Sequence, residues 1–312
     1  MDNILFIGGA GFIGSNIIAE LVKNTGYKIY VIEPALANVS GIEHLPVEIL
    51  KGSISDIDMV ETVLKANNIK KVVHLVSTMV PGCGYEEYKQ EFEKVMFPTV
   101  RLMQYCSRNE IQFIYFSSGG TVYGERKTLK PFKEDDPKEP ISYYGLSKQM
   151  IENSILFEHR TSGLQYLIIR PSNPYGHGQN LHGRQGLIAV ALGKILSGEP
   201  ITIWGDGGSV RDYIYIEDLA HIVAELLYEN ISNKTINIGS SKGYSVKEVI
   251  DIITEVVEED LKVEYTLSRK NDVSNMILDT TLMKSMIDID LTPLKDGIKK
   301  FYEEEKEKIK NE

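Results

Sequence analysis

Cysteine is scarce in this chain: Cys83 and Cys106 are the only two among 312 residues. Neither sits in a metal-ligand spacing, so the expectation is no metal, no disulfide framework and two free thiols. Positive charge is also in short supply. Against 44 acidic residues stand 34 basic ones, a net charge of −10, and the basic residues form no long run. That leaves no electrostatic footprint for nucleic acid. An anionic ligand must then be held by a few placed arginines. Long hydrophobic runs are missing as well. The first apolar stretch is broken by glycines and preceded by Asp2 rather than a basic segment, which argues against a signal peptide, and no stretch has the length of a membrane span. These absences point to a cytoplasmic protein with neither a nucleic-acid nor a membrane partner.

What is present is alternation. Apolar runs at Asn3–Ile7, Lys28–Ile32, Val47–Leu50, Lys71–Leu75, Gln112–Phe116 and Gln165–Ile169 read as buried strands. Helical spacing fills Phe12–Lys23, Asp56–Asn67, Tyr85–Asn109 and Tyr143–Thr161 between them. Strand and helix in turn imply an α/β fold with a doubly wound parallel sheet. After Arg170 prolines and glycines punctuate the chain, and the pattern predicts a smaller C-terminal domain that caps the first. The expected division is 1–170 for the nucleotide-binding domain, also receiving 212–240, with 171–211 and 241–312 as the cap. Leu294–Glu312 reads as a charged amphipathic helix.

The first strand runs straight into Gly8-Gly9-Ala10-Gly11-Phe12-Ile13-Gly14. Glycines at this spacing allow a tight strand-to-helix turn whose backbone N–H groups face a pyrophosphate. Glu33 ends the second strand about twenty positions further on, where a carboxylate can accept from a ribose 2′-hydroxyl. A 2′-phosphate there would meet like charge, and Pro34-Ala35-Leu36 supplies no cation to offset it. NAD is therefore expected rather than NADP.

A tyrosine and a lysine four apart on a helix face the same way, and the ammonium can stabilise a phenolate for general-base work. The spacing recurs at Tyr85/Lys89, Tyr123/Lys127, Tyr144/Lys148 and Tyr302/Lys306. Position selects Tyr144/Lys148. This pair opens the helix after strand Gln112–Phe116, whose loop begins Ser117-Ser118-Gly119-Gly120-Thr121 and carries hydroxyls at the strand's carboxyl end.

Together these motifs resemble the extended short-chain dehydrogenase/reductases, in particular the nucleotide-sugar epimerases and dehydratases. The resemblance covers nearly the whole chain. It rests on Gly8–Gly14, Tyr144-Gly145-Leu146-Ser147-Lys148, Ser117–Gly124, Arg170-Pro171-Ser172-Asn173-Pro174-Tyr175-Gly176, Val210-Arg211-Asp212-Tyr213-Ile214, and Arg269 with Asp272. It implies an NAD site formed by Gly8, Gly11, Phe12, Ile13, Gly14 and Glu33, by Ser53 and Ile54, by Leu75, Val76 and Ser77, and by Tyr144, Lys148 and Pro171. It further implies a nucleotide-diphosphate sugar held by Asn173, Gln185, Arg211, Arg269 and Asp272. A homodimer follows by the same analogy, through helices Tyr85–Asn109 and Tyr143–Thr161, with Leu102 and Ile151 in the interface.

Three departures qualify the resemblance. The family's catalytic Ser or Thr aligns with Gly119, leaving Thr121 or Ser118 to supply the hydroxyl. A cofactor-contacting Asn aligns with Val95, and the Asp usual after Gly52 is Ser53, with Asp56 nearby. The position that gates N-acetyl tolerance is Met276. The expected activity is a UDP-sugar 4-epimerase of the UDP-glucose/UDP-galactose type. A 4,6-dehydratase, a 4-keto-sugar reductase and a non-catalytic NAD(H) sensor are the alternatives.

Overall fold

The computed structural model describes residues 2–24, 26–183, 185–258, 261–267 and 273–311. The apolar runs form β1 (Asp2–Ile7), β2 (Tyr27–Glu33), β3 (Val47–Lys51), β4 (Ile69–His74), β5 (Gln112–Phe116) and β6 (Tyr166–Pro171). They alternate with α1 (Phe12–Leu21), α2 (Ile57–Ala66), α3 (Tyr85–Glu91), α4 (Phe97–Arg108) and α5 (Tyr143–Ser162). Beyond them lie β7 (Asn173–Tyr175), α6 (Leu187–Leu196), β8 (Ile201–Trp204), β9 (Val210–Tyr215), α7 (Ile216–Tyr228) and β10 (Lys234–Ile238). The last elements are β11 (Gly243–Ser245), α8 (Val246–Val257), β12 (Val263–Thr266), β13 (Asn275–Met276), α9 (Thr281–Lys284) and α10 (Leu294–Asn311).

The central sheet has seven strands in the order β10-β6-β5-β4-β1-β2-β3, and every pairing is parallel. The chain reverses its direction of travel across the sheet between β1 and β4. Such a switch point opens a crevice at the carboxyl ends of the strands, where α/β proteins bind ligands. Period-two alternation feeds two cores. Ile4 and Phe6 of β1 pack with Ile17, Ile18 and Leu21 of α1 and with α7; Leu5 and Ile7 face α2, α4 and α5.

A third core gathers around Leu192 of α6, Ile253 of α8 and Phe301 of α10. It adjoins a second sheet in which β9 pairs with β11, β13 and β7. β8 and β12 form a separate parallel pair. One aspartate joins this part to the end of the central sheet. Asp212 of β9 accepts from Ser240 N, Ser240 Oγ, Ser241 N and Leu278 N at 2.8–3.2 Å.

The single helix predicted over Tyr85–Asn109 is interrupted. Phe92–Met96 form a π-turn, with the Phe97 N–H bonding back to Phe92 O. Pro98 supplies the physical reason: it has no N–H for the Lys94 carbonyl, and its ring crowds that oxygen. The Ser55 hydroxyl, 3.0 Å away, donates to the stranded carbonyl instead.

Candidate active site

The glycine loop lies in the crevice beside the switch point. Gly8 takes a φ of +81°, and a Cβ there would stand 2.9 Å from Val76 Cγ2; one on Gly14 would stand 2.5 Å from Gly9 O. Only glycine permits both the turn and this close approach. No side chain caps α1 at Gly11, and its first turn carries no acidic residue. The first N–H groups thus meet an anion's requirements, which is the fit a pyrophosphate needs. Phe12 and Ile13 open the helix. Glu33 is buried at the end of β2 and accepts from Ala10 N at 2.6 Å, tying the acid to the loop. Burial pushes the Glu33 carboxyl above its ordinary value, against the pull of that hydrogen bond.

The other expected cofactor residues fall along the same edge. Ser53 and Ile54 follow β3, with Ile54 buried and Ser53 accepting from Ser55 N. Asp56 is committed elsewhere, as the cap of α2 through Met59 N. Leu75, Val76 and Ser77 follow β4, and Pro171 ends β6. Val95 lies within the π-turn, its side chain buried in the core.

Tyr144 sits in the first turn of α5, which Ser142 caps through Gly145 N at 3.1 Å. Lys148, one turn on and 4% exposed, donates to Phe116 O at 2.9 Å. Its ammonium lies 5.7 Å from the Tyr144 ring centre and 5.0 Å from that of Tyr115. Burial pushes the Lys148 ammonium down to about 8, while Glu91 and Glu152 hold it up. Burial pushes the Tyr144 phenol up to about 12; the Ser118 hydroxyl hydrogen-bonds to it and lowers it, and the charge of Glu91 raises it.

The rival pairs differ in setting. Lys306 does reach Tyr302 OH, at 3.3 Å, but from the exposed face of α10. Tyr85 is 60% exposed. Tyr123 is taken up by Asn237 and Arg170. Spacing alone would not have separated these pairs; burial beside the sheet edge does.

Gly119 leaves no room for the family's hydroxyl. A Cβ there would lie 2.6 Å from Leu278 Cδ1 and 2.9 Å from Pro171 O. Of the two substitutes expected, Ser118 is the one that reaches Tyr144, whereas Thr121 Oγ1 is buried without a hydrogen-bond partner among the described residues. Gly120 could carry a Cβ without a clash: it would meet Asn173 Oδ1, Met276 Cε and Ser118 Oγ, all at an ordinary 3.7–3.8 Å. Asn173 is oriented by its amide, which donates to Asp212 O at 2.8 Å and leaves Oδ1 toward Gly120. Arg211 lies on β9, half-buried, with Nη1 on Val210 O. Gln185 is exposed in the loop before α6. Arg269 and Asp272 lie outside the described residues.

Two features escaped sequence reasoning. Arg170 and Glu152 form a buried bidentate pair, at 2.7 and 2.9 Å, that ties β6 to α5. Arg170 also donates to Tyr123 OH, fixing the loop that carries Ser118. Glu91, 1% exposed, closes α3 beneath the site and accepts from Ser77 Oγ and Thr78 N. Its position after a tyrosine-rich, solvated stretch gave no signal. His74 is fully buried against Thr99 Oγ1, and burial, with Lys148 nearby, pushes its ring down to about 3. It is therefore neutral and belongs to the core.

The NAD dependent epimerase/dehydratase family matches residues 4–239. The dTDP-4-dehydro-6-deoxyglucose reductase of Escherichia coli is 32% identical over 96% of this chain and 96% of its own. A UDP-glucose 4-epimerase of Halalkalibacterium halodurans is 29% identical over 88% of this chain and 86% of its own. Among solved structures, the UDP-glucose 4-epimerase of Thermotoga maritima with UDP-glucose superposes with a TM-score of 0.91. Its identity is 30%, and the match covers 98% of this chain and 99% of that one. The chain belongs to the NAD dependent epimerase/dehydratase family.

Proposed function

We propose that this protein is a UDP-sugar 4-epimerase that works through a transient 4-keto sugar, with Tyr144 as its acid–base residue. The observation that carries the reading is the convergence of Tyr144, Lys148 and Ser118 at the carboxyl end of β5, across the crevice edge from the glycine loop. Bound NAD would supply the hydride acceptor and donor. Gly8, Gly11, Phe12, Ile13 and Gly14 would hold its pyrophosphate end, Glu33 a ribose hydroxyl, and Leu75, Val76, Ser77 and Pro171 the wall near the nicotinamide.

Tyr144 takes the proton of the sugar 4-hydroxyl and gives it back after the ketone has turned over. Its phenol stays protonated in the protein alone, because burial outweighs the help of Ser118. The positive charge of a bound oxidised nicotinamide, added beside the Lys148 ammonium, would bring the phenol toward working range. Ser118 donates to the same oxygen and takes the part that Gly119 cannot play. Asn173 Oδ1 and the bare backbone of Gly120 would face the sugar. Arg211 and Arg269 would clamp the diphosphate in the bidentate manner arginine favours. Asp272 would meet the uridine ribose, with Gln185 at the mouth. The parts 171–211 and 241–312 act as the substrate cap, and the setting is cytoplasmic.

The likeness to a reductase favours a second reading, in which the chain delivers hydride to a 4-keto sugar. Incubation with UDP-, dTDP-, GDP- and CDP-sugars, with products identified by NMR, separates the two. Interconversion of 4-epimers without net NADH supports the epimerase. A keto product that accumulates, or stoichiometric cofactor turnover, overturns it.

A further inference from the structure

The two buried carboxylates whose charges act on Lys148 are differently balanced. Glu152 is held by the two-pronged contact with Arg170, so its charge is cancelled at short range. Glu91 has no such close ion pair, although its charge acts on the Lys148 ammonium. Its hydrogen bonds come from Ser77 Oγ, Thr78 N and Thr78 Oγ1, and among the described residues no lysine, arginine or histidine pairs with it. A carboxylate accepting a backbone N–H and two hydroxyls has its oxygens solvated by the protein's own donors rather than by a cation. The π-turn that follows Glu91 ends α3 at this point, and the residues it binds continue the β4 loop that would wall the nicotinamide. The titratable groups on which its charge acts are Lys148 and Tyr144 from α5 and Tyr115 from β5.

We propose that Glu91 is a positioning residue for the cofactor: it pins the Ser77–Thr78 loop and sets a fixed negative charge that favours the oxidised over the reduced nicotinamide. The inference rests on the reading of Tyr144 as the proton acceptor, because hydride exchange at the carbon bearing that hydroxyl brings the nicotinamide close to Tyr144. The oxidised ring is cationic and the reduced ring neutral, so a nearby carboxylate that lacks a close ion-pair partner discriminates between them. Functionally, such a charge favours return of the hydride to the sugar over release of a ketone with the cofactor left reduced. No new covalent step is involved: the hydride and the proton that leave the sugar both come back to it.

Calorimetric dissociation constants of NAD⁺ and NADH for the whole protein test this directly. In Glu91→Gln the preference for NAD⁺ over NADH is expected to fall about tenfold, the size that loss of a single nearby charge produces. Thr78→Val removes a hydrogen bond but no charge, and should weaken both ligands with their ratio unmoved. A ratio unchanged in Glu91→Gln overturns the proposal, as does equal weakening of both ligands, which would mean a purely structural clamp. If Glu91→Gln does not fold, Glu91→Gln/Lys148→Met against Lys148→Met gives the same comparison. The underlying reading fails separately: sugar turnover that survives Tyr144→Phe sinks the base assignment, whatever the binding ratio.

Discussion

Tyr144 and Lys148 have opposite relations to stability and activity. Removing the phenol hydroxyl should leave packing intact, so Tyr144→Phe is expected to lower turnover by about two to four orders of magnitude with an unchanged unfolding curve. Lys148 is a buried ammonium, titrating near 8 where an unfolded lysine titrates near 10.5. Between those values the unfolded chain holds more protons, so this lysine's contribution to stability rises with pH across that window. At pH 7 its full burial cost of about 3 kcal/mol applies. Lys148→Met should therefore raise the urea unfolding free energy by about 1–2 kcal/mol at pH 7 while abolishing turnover. The advantage should fade as pH climbs from 8 past 10. A variant no more stable than wild type at pH 7 would show that the Phe116 carbonyl and the two glutamates already offset the burial.

At this scale the sequence spoke unevenly. The glycine loop and Glu33 were legible because their spacing along the chain is itself the geometry, a turn between adjacent elements. The choice of Ser118 over Thr121 was not, since it depends on which hydroxyl meets a helix more than twenty residues away. Glu91 was invisible for a related reason. Its role comes from a loop thirteen residues earlier and from a helix far later, and local pattern reports neither.

Among the elements, the π-turn makes a separable claim about cause. Pro98 strands the Lys94 carbonyl and Ser55 rescues it. Ser55→Ala should then cost about 1 kcal/mol in denaturant unfolding, as a carbonyl left without its donor does. In a Pro98→Ala background residue 98 regains an N–H, and the same change should cost less. A double-mutant cycle is expected to show coupling of about 0.5–1 kcal/mol; strict additivity would disconnect the two residues. The helical pattern of Tyr85–Asn109 ran unbroken in sequence because apolar spacing persists through a π-turn with only a one-residue slip. Pro98 was the available clue.

For the molecule as a whole, the expected dimer needs a different set of residues from those first named. Leu102 and Ile151 are buried within one chain, between α4, α5 and the sheet, and cannot meet a partner. The outward face of the same helices carries Tyr85, Phe97, Tyr143 and Phe157, each 39–61% exposed. Tyr143 stacks on Tyr88 and meets Tyr85 edge-on, making a continuous aromatic surface. Contiguous apolar surface of this kind marks an interaction site. Wild-type protein is expected to sediment as a dimer at micromolar concentration, and Phe97→Glu as a monomer with its cofactor still bound. A wild-type monomer would reject this surface as the self-association face. Sequence pattern located both helical stretches, the first without its π-turn, and named inward residues for the outward face, because core and interface residues share one composition.

The edge position of β10 has a consequence for how the protein is made. β6 is buried along its whole length, yet the strand that covers its outer side is not synthesised until residues 234–238. α7, which closes one face of the sheet, also comes from that late segment. At ordinary translation speeds the ribosome spends roughly several seconds between the two strands. Throughout that interval Leu167, Ile168 and Ile169 stand at an open sheet margin, the kind of edge that recruits other chains. Nascent chains therefore pass through a sticky stage that the finished enzyme no longer shows, and a chaperone or crowded polysome would meet it there.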